Sequence, residues 1–348
     1  MEYGIEPQYP ANKGLTGKKP QDHAQAWRRA AQILFLMLNV LIGLQFILFV
    51  RYFESGGQSS RVSRPPGVEG WLPIAGLMNL KYFLATGDIP SIHPAAMLLL
   101  AAFLIMSLLF RKAFCGWICP IGTLSEALWK LGRKLLKRNW SFPRRLDIPL
   151  RGVKYLLLAF FVYAIGGMSV GAIEAFQSSP YGLVSDVKML RFFLTLSGTA
   201  AITIGALLIL SLFFQNFWCR YLCPYGALMG LASLFSPAKI SRNPQRCIDC
   251  GQCTKACPAL LKVDKLACVH SAECTGCLEC VTVCPAEGAL QMSIWSNRRL
   301  PAWALAAGLA AIFIVIVGLA KWNKTWASDI PDSVYEVFIP ELDKLSHP

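Results

Sequence analysis

The chain has 348 residues, 55% of them hydrophobic and 16% charged, with a mean hydropathy of +0.45. A soluble domain is about 45–50% apolar and about 25% charged, so this excess, gathered in long uncharged blocks, excludes an ordinary soluble globule. The net charge of +14 does not point to nucleic acid, because the Lys and Arg flank apolar blocks and no nucleic-acid-reading fold accompanies them.

Residues 1–30 read as a polar N-terminal tail with Lys13, Lys18, Lys19, Arg28 and Arg29. The apolar block that follows is too long for the core of a secretory leader. Five blocks without Asp, Glu, Lys or Arg reach the roughly 20 residues a spanning helix needs: Ala31–Val50, Ile89–Phe110, Tyr155–Ile173, Leu194–Phe214 and Leu300–Ala320. Between the first two, the apolar stretch Leu77–Ala85 is too short to span and predicts an interfacial or re-entrant helix. The loop after the second block is dense in Lys and Arg, from Arg111 and Lys112 through Arg151. The loop after the third has Lys188 and Arg191 against Glu174 and Asp186. The positive-inside rule therefore predicts a cytoplasmic N-terminus and a tail after the fifth block, with Asp329, Asp332, Glu336, Glu341 and Asp343, on the opposite, periplasmic side.

An internal repeat closes the second and fourth blocks. Phe114-Cys115-Gly116-Trp117-Ile118-Cys119-Pro120-Ile121-Gly122 is matched by Trp218-Cys219-Arg220-Tyr221-Leu222-Cys223-Pro224-Tyr225-Gly226. A four-residue spacing puts both thiols of a pair on one face if the stretch is helical. Three readings of Cys115, Cys119, Cys219 and Cys223 are open. They jointly hold a further [4Fe–4S] cluster at the repeat seam, they act as redox dithiols, or they pack helix against helix. Trp117, Trp218 and Tyr221 beside them fit an interfacial aromatic belt.

The next stretch carries the most specific signal. Cys247, Cys250, Cys253 and Cys257, then Cys274, Cys277, Cys280 and Cys284, each follow C-x2-C-x2-C-x3-C with Pro after the last Cys. This is the bacterial two-cluster ferredoxin pattern, in which the fourth Cys of each run serves the other cluster. Cys247, Cys250, Cys253 and Cys284 are then one ligand set, and Cys274, Cys277, Cys280 and Cys257 the other. Zinc ribbons use paired C-x2-C motifs, but not two complete runs ending in Cys-Pro. Gly251 and Gly276 relieve crowding where backbone approaches sulfide. Cys268, between the runs, reads as a buried apolar thiol.

The predicted fold is thus an all-α polytopic membrane protein of about five spanning helices in duplicated pairs, with a small α+β ferredoxin domain. Its parts are the tail 1–30, a four-helix membrane domain 31–235, the ferredoxin domain 236–297, a fifth helix 298–321 and an acidic tail 322–348.

Two helix pairs ending in Cys-x3-Cys-Pro, followed by a double ferredoxin run, resemble the NapH-type polyferredoxin family over about residues 30–295. The resemblance extends to the membrane parts of the nitrous-oxide reductase regulator and of a cytochrome oxidase maturation ferredoxin. It implies the electron-transfer subunit of a quinol dehydrogenase or quinol-linked respiratory complex in the bacterial inner membrane. Such a subunit takes electrons from menaquinol or ubiquinol through [4Fe–4S] clusters to a partner redox subunit, an iron–sulfur protein, cytochrome or reductase. The fifth block and the short acidic tail depart from the typical nitrate-reductase subunit. A maturation reductase for a respiratory metalloenzyme and a redox sensor are the competing functions. The outer segments are poor in Met and His, and no kinase, DNA-binding or flavin unit is appended. Quinol oxidation also needs proton acceptors. His93, Glu174 and Asp186, at the outer edges of the predicted helices, are the candidates.

Overall fold

The computed structural model describes residues 23–295 and 298–345; most of the 1–30 tail and the last three residues of the acidic tail lie outside the described residues. Helix α1 (Ala24–Glu54) starts seven residues before the expected block and continues past it, ending where Gly56 and Gly57 both take positive φ. Helix α2 (Pro73–Thr86) is the short apolar stretch of the first loop, closed by Gly87 in the left-handed region. Its Gly76 lies against the carbonyl of Ala96, so close that an added Cβ would sit 2.8 Å away.

Helix α3 (Pro94–Phe110) begins on a proline at its first turn, later than the expected Ile89. Ten of its 17 residues are buried, so it is enclosed by the other helices. Short α4 (Ala113–Trp117) and α5 (Pro120–Leu136) follow. Helix α6 (Arg144–Gly167) takes in the arginines expected in a loop and stops six residues before Ile173. Two causes fix that end. Lys81 of α2 donates to the carbonyls of Ile165 (3.0 Å), Gly166 (2.8 Å) and Met168. Ser169 then caps the next helix, α7 (Val170–Ser178), accepting from the Ala172 N–H at 3.1 Å.

After α8 (Pro180–Leu183), the expected block Leu194–Phe214 is divided. Helix α9 (Ser185–Leu194) and α10 (Gly198–Phe213) meet at 77°. Ser197 accepts from the Ala200 N–H and starts α10 afresh, a cap signal that the apolar character of the block hides. The helices thus divide the apolar blocks differently from the expected boundaries. Among the described residues three helices, α1, α6 and the later α14, are long and apolar enough to cross a membrane, or four if the bent pair counts as one.

A short π-helix at Trp218–Leu222 leads to α11 (Pro224–Ser233). The ferredoxin segment follows: β1 (Ala238–Arg242), α12 (Gln252–Ala256), α13 (Glu279–Thr282), β2 (Leu290–Ile294) and β3 (Arg298–Arg299). The sheet is antiparallel in the order β1-β2-β3, with Ala238 opposite Ile294 and Arg242 opposite Leu290. It shares one hydrophobic core with the bundle. Ile240, Leu278 and Met292 pack with Met106, Trp117, Met229 and Leu305. Helix α14 (Ala302–Trp322) and the tail helix α15 (Asp332–Phe338) complete the chain. The tail folds back on this chain's own loops. Tyr335 packs against Phe49 and Phe53, the Asp329 N–H donates to the Ser91 carbonyl at 3.1 Å, and Arg61 pairs with Asp332. The tail and the first loop gather at the C-terminal end of α1, and the paired cysteines at its N-terminal end, where Arg28 meets Gly116.

Candidate metal centres

The expectation that Cys115 and Cys119 share one helix face is corrected. Helix α4 ends at Trp117, and Cys119 is the N-cap of α5. A residue before proline is pushed out of the helical region, and Cys119 has ψ 120 before Pro120. The second repeat does the same: Cys223, with ψ 105 before Pro224, caps α11. Both cap thiols receive a backbone N–H, Gly122 to Cys119 Sγ at 3.5 Å and Gly226 to Cys223 Sγ at 3.2 Å. The glycine of the motif is there for space. A Cβ on Gly122 would stand 2.2 Å from the Cys115 carbonyl oxygen, and one on Gly226 would touch Cys223 Sγ and Lys112 Nζ at 3.5 Å.

All four thiols line one cavity of about 460 Å³. Lys112, Tyr225, Glu273 and Thr275 share that end of it. From there the cavity follows α1 from Arg28 past Phe35 and Leu38 to Ile42, with Leu99, Phe103, Phe313 and Val317 on its other walls. Arg28 to Ile42 is about 21 Å at 1.5 Å per helical residue. Burial pushes the Cys115 thiol up to about 11 despite nearby Lys112, and Cys219 up to about 12. Cys119 is also raised well above the usual thiol range by burial, with Cys115 and Cys219 adding to it.

Lys112 is 3% exposed and makes no salt bridge among the described residues. The other charged groups at this end are compensated. Arg28 pairs with Glu126 and Glu279 (3.2 Å), Arg220 with Asp147 (2.9 Å), and Glu273 with Lys154 (2.6 Å). A buried ammonium without an anion is costly. Four thiolates around an iron–sulfur core supply that anion, and soft sulfur is the ligand such cores take. The residues fit the group. Among the described residues no three His, Cys, Asp or Glu side chains converge to hold a single ion.

The ferredoxin runs fold into the crossed sets. Cys247, Cys250, Cys253 and Cys284 line one small cavity together. Cys257, Cys274, Cys277 and Cys280 are mutual electrostatic neighbours and all buried. Each run carries two left-handed residues at equivalent places, Asp249 and Gly251 in the first, Gly276 and Leu278 in the second. Glycine flags two of these positions; Asp249 and Leu278 carry no such mark. The buried set lies against the paired-cysteine motif. Trp117 Nε1 donates to the Gly276 carbonyl at 3.0 Å, Gly116 abuts the Thr275 carbonyl, and Gln25 donates to the Cys277 carbonyl at 2.9 Å. Cys250 of the other set is exposed.

Trp117 is fully buried, and Tyr221 is buried with its hydroxyl donating to Asp147 at 2.7 Å, so neither belongs to an interfacial belt. Cys268 is half-buried and bridges to Ser241 at the edge of β1.

His93 and Asp186 meet in a buried network, and Glu174 does not join it. Arg64 donates to Asp186 (2.8 Å) and Glu69 (2.8 Å), and His93 Nδ1 lies 3.4 Å from Glu69. His93 Nε2 is 3.0 Å from the Gly182 carbonyl. Glu69 and Arg64 were not expected; a carboxylate in an apolar loop was the available sign. Glu174 is exposed and lies beside Tyr82. His93 caps one end of α3 and the thiols follow its other end, about 26 Å away by the rise of 17 residues.

A family model described as a 4Fe-4S binding domain matches residues 92–142 and 196–243, the two stretches that carry the paired cysteines. A second, described as a 4Fe-4S dicluster domain, matches 239–285. The chain is 49% identical over 340 residues, 95% of each sequence, to YccM of Escherichia coli (strain K12), which bears the name of an electron transport protein. It is 28% identical over 235 residues to the ferredoxin-type protein NapH of the same organism, covering 64% of this chain and 75% of that one. To the protein NirI of Paracoccus denitrificans it is 33% identical over 229 residues, 62% of this chain and 32% of that one. No solved structure matches.

Proposed function

This chain belongs to the NapH-type membrane polyferredoxin family, whose 4Fe–4S domains and electron-transport relatives make it a membrane iron–sulfur electron carrier, and on that premise we propose that it draws electrons from quinol at the four-thiol end of the cavity. The observation that carries the reading is the cavity itself: one end is walled by Cys115, Cys119, Cys219 and Cys223, and the rest is mostly apolar, with Asn39 and Lys321 its polar groups, and long enough for an isoprenoid chain. Ligand sites of this kind are apolar with a few convergent polar groups.

The headgroup sits beside the thiols and Tyr225, and the isoprenoid chain lies along Leu38, Ile42, Phe313 and Val317. Of the three readings of the quartet, ligation of a shared cluster is favoured over dithiol exchange. Thiols held at about 11 and 12 are poor nucleophiles, whereas iron displaces the proton as it binds. When bound, [4Fe–4S] clusters supply one-electron acceptors. Glu126 and Glu273 are the carboxylates on the thiol-end wall. Burial would raise both, but Arg28 outweighs it at Glu126, and Lys112 and Lys154 at Glu273, so both stay ionised and hold fixed negative charge there. His93 and Asp186, at the far end of α3, then act as an ionic lock.

Electrons pass next to the Cys257, Cys274, Cys277, Cys280 set, which lies against α4, and from it to the Cys247, Cys250, Cys253, Cys284 set at the surface. A partner redox subunit meets the chain there. The chain sits in the bacterial inner membrane with its N-terminus and ferredoxin domain cytoplasmic and the acidic tail periplasmic, as the distribution of Lys and Arg supports.

The test is stopped-flow reduction of the anaerobically purified protein by a short-chain menaquinol or ubiquinol. Ile42→Trp and Val317→Trp narrow the cavity and should slow quinol-driven bleaching at least tenfold, with dithionite reduction unchanged. Equal quinol rates in both variants and the parent chain would remove the cavity as the quinol site.

A further inference from the structure

We propose that Lys112 is the residue that sets the reduction potential of the four-thiol centre, its buried ammonium acting as the fixed counter-charge that makes this centre the easiest of the three to reduce. The proposal rests on the reading of the quartet as a cluster site.

Lys112 caps α4 at the point where α3 has just ended, so two helix boundaries aim its side chain inward. The side chain lines the cavity, and a Cβ added to Gly226 would touch its Nζ and Cys223 Sγ at the same 3.5 Å distance. Lys112 faces Cys115, Cys219 and Cys223, and also Glu273, whose two oxygens are already occupied by Lys154 Nζ at 2.6 and 2.8 Å. It is the uncompensated cation of the site.

A four-thiolate [4Fe–4S] centre is a dianion when oxidised and a trianion when reduced. A fixed positive charge in contact stabilises the trianion more, so the potential rises. The two N–H···S contacts from Gly122 and Gly226 act in the same sense. The inner ferredoxin set does have a buried cation against it, Arg28 beside Cys277, but Arg28 is paired with Glu126 and Glu279; Arg242, near Cys247, is paired with Asp249. One electron arriving from quinol therefore meets its best acceptor at the quartet. Onward transfer to the ferredoxin sets is then uphill and is drawn forward by a partner redox subunit of higher potential.

The test is an anaerobic redox titration of the full-length protein followed by electron paramagnetic resonance, with iron counted on the same samples. Lys112→Met should move one midpoint potential downward and leave the other two in place, and Lys112→Arg should return it toward the parent value. If Lys112→Met and Lys112→Gln both fall to about eight irons per chain while Lys112→Arg keeps about twelve, the counter-charge role also stands. Unchanged potentials in Lys112→Met at full iron would overturn the proposal. So would loss of iron in all three variants, which assigns shape and not charge to the position. About eight irons in the parent chain is a different failure, that of the quartet reading itself.

Discussion

The two cysteine regions use the same ligand in opposite settings. The ferredoxin sets are written in short local runs, and left-handed residues inside each run turn the loop around its site. The quartet is assembled from two distant stretches by helix packing, with two thiols placed as helix caps and a lysine enclosed beside them. A loop-borne site needs little beyond its own sequence. A site at a helix seam depends on how closely the helices approach, and packed interiors give way poorly when that spacing is disturbed.

The largest expected effect separates the two on this ground. Gly132 of α5 lies against α10, where an added Cβ would stand 1.8 Å from the Leu212 carbonyl oxygen. Gly132→Val should force the helices apart and remove the quartet's iron, about four atoms per chain, while both ferredoxin signals persist. Iron assay with paramagnetic resonance reads this; loss of all three signals together would mean that the ferredoxin segment depends on the bundle as much as the quartet does.

Exposure gives the next contrast. Cys250 is exposed, whereas the four thiols of the inner ferredoxin set are buried. Under slow oxidation or a chelator, the Cys247, Cys250, Cys253, Cys284 set should lose iron first, the others several-fold later. Simultaneous loss would show that exposure does not govern their lability.

A smaller effect is expected at the joint between the regions. Arg28 donates to the Gly116 carbonyl at 2.9 Å and pairs with Glu126 and Glu279, linking α1, α5 and α13. Arg28→Met removes the buried partner of Glu126 and Glu279 and leaves Lys130 as the cation shared by both, which should cost about 2 kcal/mol. Thermal unfolding should fall accordingly, and quinol-driven reduction of the ferredoxin sets should slow more than that of the quartet. The smallest effect on either region belongs to the tail. Tyr335→Ala empties an aromatic pocket formed with Phe49 and Phe53. It should loosen the tail, seen as faster proteolysis after Lys324, with all cluster potentials unchanged.

The same contrast explains what could be read from the sequence. The ferredoxin runs were legible because their spacing is local; the crossing of the fourth cysteines came from the two-cluster pattern, and Cys284 lines a cavity with the first run. Helix existence was legible for α1, α6 and α14, where apolar length decides. The break at Ser197 and the end of α6 at Gly167 were not, because a cap hydrogen bond and the reach of Lys81 are details that a hydropathy window averages away. The paired cysteines stood out as a duplicated motif, but the helix break before each proline and the part played by Lys112 required the tertiary arrangement. Lys112 looked like one more basic residue beside a membrane block; only its enclosure distinguishes it. Glu69 and Arg64 were hidden in the same way, since their partners His93 and Asp186 lie far along the chain.

The central claim is that thiols from both halves of the repeat hold one shared centre. It is tested most directly by counting iron and paramagnetic centres in four single variants, Cys115→Ala, Cys119→Ala, Cys219→Ala and Cys223→Ala, beside the parent chain. About twelve irons are expected in the parent and about eight in each variant, with the same single signal missing from all four and both ferredoxin signals intact. Full iron and all signals in any variant from either half would contradict it.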